Sequence, residues 1–120
     1  MPDPIAREFL LTFWKIHVLY HADEGGVYGQ WMLEELRRHG YQLSPGTLYP
    51  LLARMEARGW LRRIESGVPK GRRIYRLTAS GRQVLVRLRK ALDELYREVG
   101  ENARESPRRP SGRRRRPPAK

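Results

Sequence analysis

Cysteine is absent from the 120 residues, which excludes both a disulfide framework and a thiolate metal site. No apolar run approaches the roughly 18 residues that a membrane span needs. The first residues, MPDPIAREF, lack the basic start and apolar block of a signal peptide. A nucleophile motif, a Walker phosphate loop and a carboxylate pair suited to acid–base work are all missing, so neither catalysis nor a cofactor is expected. The three histidines, His17, His21 and His39, show no metal-ligand spacing with a carboxylate pair. They read as surface or core residues, and no metal is expected.

Negative charge is also scarce. Thirteen acidic residues face 25 basic ones, a formal net charge of +12 with a pI near 11.0. Such a balance points to an anionic polymer or a membrane surface before a small substrate. Taken with the order of helices and hairpin that follows, it gives the expectation of a soluble, cytoplasmic, nucleoid-associated protein whose partner is double-stranded DNA. The charge has an address. Residues 101–120, ENARESPRRPSGRRRRPPAK, hold eight basic side chains and two glutamates and have no large apolar residue, so they read as a disordered basic tail. Residues 54–90 hold twelve Lys or Arg against Glu56 and Glu65.

The ordered part reads as mainly α with a small β-hairpin. Residues 4–22 suggest a helix with Ile5, Phe9, Phe13, Ile16 and Leu19 or Tyr20 on its apolar stripe, ended by DEGG. A shorter helix from about Tyr28 to His39 would turn Met32, Leu33 and Leu36 inward and stop at Gly40. LRRIE and RRIYRLT, around SGVPKG, form a hairpin signature in which Tyr75 and Leu77 share one face while Arg72 and the Lys70 tip are exposed. Thr78 then caps a last helix over about 79–99. This order predicts a winged helix-turn-helix domain over 1–78, a long C-terminal dimerisation helix over 79–100 and the tail over 101–120.

Between the second helix and the hairpin lies LSPGTLYPLLARMEARGWL, a helix with Ser44 at its N-cap, Pro45 just inside and Gly59 as a left-handed stop. Leu48, Leu51, Leu52 and Met55 make its apolar face. Pro50, well inside, removes a backbone bond. At about 100° per residue the line opposite the apolar face is Gly46, Pro50, Ala53 and Ala57, nearly without side-chain bulk. Thr47, Arg54 and Arg58 flank it on one side and Tyr49 on the other. Such a thin face can enter a groove closely, with first-turn N–H groups aimed at an anion. The competing reading packs it against another helix of the fold.

YGQWMLEELRRHGYQLSPGTLYPLLARMEARGWL followed by GRRIYRLTASGRQVL resembles the PadR family of bacterial transcriptional regulators over residues 16–90 or so. The block SPGTLYPLL and the YRLT after the wing carry most of the likeness. The resemblance implies a dimeric winged-helix repressor, often released from DNA by a small molecule. Two departures stand out. YGQWM replaces the usual YGYEL, putting Trp31 at an often polar position, and the C-terminal part is short, as in members with a single final helix.

The site expected on this basis is Ser44, Thr47, Tyr49 and Arg54 for base readout, Pro50 on the thin face, and Lys70, Arg72 and Arg73 at the wing for the DNA backbone. The hydroxyl of Tyr49 could also meet a phosphate, and the alternative for this residue is a half-buried ring under the wing. Leu85, Leu88, Leu92, Leu95 and Val99 fall at steps of three and four, a packing seam that fits a homodimer or the chain's own first helix. Trp14, Trp31 and Trp60 are most simply core or interface anchors. Trp14 and Trp31 are also the candidates for a pocket taking a small aromatic or hydrophobic inducer. The rival functions are a protein-docking winged helix, a non-specific nucleic-acid binder and an RNA-binding protein, the last lacking an aromatic strand platform.

Overall fold

The computed structural model describes residues 4–65, 67 and 72–100; Lys70 and the tail 101–120 lie outside the described residues. The chain divides into two units, Met1–Leu88 and Arg89–Lys120. The first holds α1 (Pro4–Ala22), β1 (Val27–Tyr28), α2 (Gly29–Arg38), α3 (Pro45–Ala57), β2 (Leu61–Ile64), β3 (Ile74–Leu77) and the start of α4 (Ala79–Leu95). None of the described helices is long and apolar enough to cross a membrane.

The core is assembled from one face of each helix. Trp14, Val18, Leu19 and Ala22 of α1 meet Met32, Leu33 and Leu36 of α2, Leu48, Leu51, Leu52 and Met55 of α3, and Leu61, Tyr75 and Leu85. The inward faces of α2 and α3 are those expected. That of α1 is not. Phe9 and Phe13 are 60% and 44% exposed and Tyr20 is 43% exposed, while Trp14 and Val18 are buried. Apolar residues surround much of α1, so periodicity alone did not select the core side.

Both helices of the helix-turn-helix end in the same backbone device. In α2 the Gly40 N–H donates to the Arg37 carbonyl and the Tyr41 N–H to the Leu36 carbonyl. In α3 the Gly59 N–H donates to Glu56 and the Trp60 N–H to Met55. These are the paired bonds of a Schellman stop, and Gly40 and Gly59 take φ of 95° and 84° to close them.

β3 is the central strand of a three-stranded antiparallel sheet, with β2 on one side and β1 on the other. The hairpin is therefore joined by a third strand that the sequence reading lacks. Val27 pairs with Tyr75 and Tyr28 with Ile74. Tyr75 and the half-buried Leu77 share the inner face, as the alternation predicts.

The Thr78 hydroxyl caps α4 by accepting from the Gly81 N–H at 2.9 Å, and it donates to the Gly59 carbonyl at 2.6 Å. The last helix differs from expectation. It is α-helical only to Leu95 and continues as one π-helical turn, Tyr96–Gly100. Leu85 is a core residue of the first unit and Leu88 packs against that core. The start of the proposed seam is thus occupied by the chain's own fold. Within the second unit Leu92 is half-buried, Leu95 and Val99 are 57% and 58% exposed, and Arg97 pairs with Asp93 at 3.0 Å.

Candidate nucleic-acid interface

α3 presents its thin line outward: Gly46, Pro50, Ala53 and Ala57 are all exposed, as are Ser44, Arg54 and Arg58. Among the described residues of the first unit nothing covers that line, which speaks against the competing intramolecular reading. Pro50 deprives the Gly46 carbonyl of its helical donor. Because Gly46 is exposed, water can satisfy that carbonyl, and the helix runs on to Ala57 without interruption.

The N-terminus of α3 departs from expectation in two ways. Ser44 has the extended backbone of an N-cap (φ −105°, ψ 166°) but its side chain makes no capping bond. Its carbonyl instead accepts from the N–H groups of both Thr47 and Leu48, each at 3.0 Å. Pro45 has no N–H to offer, so fewer amides face outward than two bracketing prolines suggested. The Ser44 hydroxyl is correspondingly available for an outside partner.

Tyr49 is half-buried, and its place is set by an absent side chain. A Cβ on Gly29 would come within 2.7 Å of the ring and 2.8 Å of its hydroxyl. The ring therefore lies across the start of α2. The Arg73 guanidinium stands 5.8 Å from the Tyr49 ring centre, and that of Arg72 stands 4.9 Å from Tyr28. These residues with Gln30 line a cavity of about 420 Å³. Helix, turn and wing thus converge on one concave, cationic spot, and Tyr49 combines the half-buried position with a place in that rim. Lys70 belongs to the residues that are not described.

The outer face of the sheet adds a repulsion. Arg62 stands directly opposite Arg76 in the β2–β3 ladder, and both are exposed. Like charges at such positions destabilise a sheet unless an anion lies nearby. Other cations of the basic stretch are already engaged: Arg82 with Asp23 at 2.9 Å and Arg63 with Glu65 at 3.3 Å.

Trp31 is not among the described residues that line the cavity beside Trp14. Trp14 is buried and borders a space of about 370 Å³ with Arg7, Leu10, His39, Gly40, Tyr41 and Gln42. Trp31 is 41% exposed and sits edge-on to His21 at 5.2 Å. The histidines, read from the sequence as surface or core residues, converge: one ring nitrogen from each of His17, His21 and His39 lies within 4.8 Å of the others. The signal was present as two pairs spaced by four, His17 with His21 and Glu35 with His39, but their facing across two helices is not written in either segment.

Two crossing helices with an exposed second member, followed by a basic hairpin, define a winged helix-turn-helix regulator. Over residues 18–87 the chain matches the transcriptional regulator PadR-like family, and it belongs to that family. It is 49% identical over 96 residues to the transcriptional regulator Rv3488 of Mycobacterium tuberculosis, covering 78% of this chain and 88% of that one. A PadR family regulator from Eggerthella lenta is 28% identical with a TM-score of 0.67, over 87% and 96% of the two chains. Smu.1704 from Streptococcus mutans shares the fold, with 22% identity and a TM-score of 0.73 over 92% and 100%. The family is one of transcriptional regulators rather than enzymes, and DNA-binding regulation is the activity it supports.

Proposed function

We propose that the chain is a homodimeric repressor that reads a pseudo-palindromic operator through α3. The observation that carries this reading is the exposed line Gly46–Pro50–Ala53–Ala57, flanked by Thr47, Tyr49 and Arg54. So narrow a helix face fits the major groove, with Ser44, Thr47, Tyr49 and Arg54 toward the bases. Arg72 and Arg73, joined by Lys70, bind backbone phosphates from the wing, and the Arg62–Arg76 repulsion is relieved there. A second copy is called for by the exposed apolar residues Phe9 and Phe13 of α1 and, in the second unit, Leu95 and Val99. Two reading helices then lie about 34 Å apart on one face of the duplex. Release by a small aromatic or hydrophobic inducer, with Trp31 presenting its exposed ring, completes this reading.

Selection of bound sequences from a random duplex pool tests it, with a Thr47→Ala, Arg54→Ala double variant alongside. Both side chains lie outside the buried core. The wild-type chain is expected to enrich a palindromic motif that the variant loses. Salt-sensitive binding with no enriched motif would point instead to a non-specific binder or a protein-docking module.

A further inference from the structure

We propose that His17, His21, His39 and the carboxylate of Glu35 form a binding site for a first-row divalent cation of the zinc class. His17 and His21 stand one turn apart on α1. Glu35 and His39 stand one turn apart where α2 ends. Packing of the two helices brings the pairs face to face, with the three ring nitrogens all within 4.8 Å of one another. Glu35 Oε2 lies 3.1 Å from His39 Nε2 and 3.9 Å from His21 Nε2. Ligand atoms around a tetrahedral ion with bonds of about 2.0–2.1 Å are about 3.4 Å apart. The carboxylate distances bracket that value, and shifts of about an ångström in the rings complete the set.

His21 supplies the second observation. It is 8% exposed, and neither buried ring nitrogen has a hydrogen-bond partner among the described residues. A buried imidazole left in this condition is costly. A metal ion on one nitrogen removes that cost. The other then donates to a carboxylate, the usual outer partner of a ligating histidine. Glu24 Oε1 stands 3.6 Å from His21 Nδ1 and fits that role. The rings of Tyr20 and Trp31 stand edge-on to His21 at 5.0 and 5.2 Å and shield it from water.

The remaining groups around the cluster are compatible with an ion. Arg38 bonds both oxygens of Glu35, at 2.8 and 3.1 Å, and holds that carboxyl below its ordinary range, hence ionised. Burial, then the neighbouring His39 and His21, lower the pKa of His17 and favour its neutral form. Neutral imidazole is the ligating form. The Tyr41 hydroxyl is 3.4 Å from His17 Nε2. Imidazole and carboxylate without thiolate suit Zn²⁺, Ni²⁺ or Co²⁺, and the absence of cysteine excludes a thiolate site for Cu⁺. Bound there, the ion ties α1 to the end of α2, beside the Gly40 turn that leads into α3.

The chain has only three histidines, all in the cluster, so tag-free full-length protein gives a clean titration. After chelator treatment and dialysis, ZnCl₂ is titrated by calorimetry and the melting temperature is followed in parallel. One ion per chain, a rise in melting temperature, and binding at least about tenfold weaker in His17→Gln and His39→Gln support the site. His39 is at the surface, so its variant keeps the fold, which far-UV circular dichroism verifies. Tetrahedral visible bands on Co²⁺ addition, lost in the same variants, support it further. No saturable binding by wild type, or undiminished binding by a folded His39→Gln variant, overturns it.

Discussion

Gly29 and Gly81 both lack a side chain for want of room, yet the obstacles differ. A Cβ on Gly29 meets the far end of Tyr49, a ring that can swing aside. A Cβ on Gly81 meets the carbonyl oxygen of Trp60, part of the backbone that Thr78 also bonds. Gly29→Ala is therefore expected to lower the unfolding free energy measured in urea by less than about 1 kcal/mol, while displacing Tyr49 and weakening operator binding. Gly81→Ala is expected to cost about 1–3 kcal/mol, because the sheet or α4 must move. Equal losses in the two unfolding curves would contradict this distinction. The position of Tyr49 beside the exposed line of α3 follows from the sequence. Its dependence on Gly29 does not, since nothing in the local pattern joins residue 29 to residue 49.

At the scale of the element, α2 and α3 were legible because Gly40 and Gly59 end segments whose leucines and methionine recur at helical spacing. α1 was legible as a helix but not as to its core face: with Phe13 next to Trp14, two neighbouring stripes are equally apolar, and only packing chooses between them. β1, two residues long, is too short to show any alternation. In α4 the regular leucine spacing concealed a change of role along the helix, from the buried Leu85 to the exposed Leu95. The two positions should respond differently to charge. Leu85→Arg is expected to unfold the protein, because it buries an unpaired cation. Leu95→Arg is expected to leave the circular dichroism spectrum intact and shift sedimentation from dimer toward monomer. A dimeric Leu95→Arg variant would remove that position from the interface.

For the whole molecule the governing quantity is charge. Half of the +12 resides in residues 101–120, and the other half in the preceding hundred. Each phosphate neutralised contributes about 0.9 to the slope of log affinity against log salt. Removing residues 101–120 is expected to flatten that slope by several phosphate equivalents and leave operator preference unchanged. A changed preference in the same binding assay would assign the tail a part in readout. The charge distribution was open to inspection from the sequence. The neutralisation of Arg82 by Asp23 was not, because it joins residues 59 positions apart.

The sheet also has a temporal side. β2 and β3 are joined by a short connection, so their pairing closes a small loop and can form early. β1 reaches the same central strand from a point far upstream, with Val27 opposite Tyr75 and both helices of the reading motif between them. Closing so long a loop costs more chain entropy, and the pairing becomes favourable only once α2 and α3 have condensed. The two strands added to β3 are thus expected to pair at different moments of folding, β2 early and β1 as the latch that completes the domain, an order that pulsed amide exchange during refolding would check.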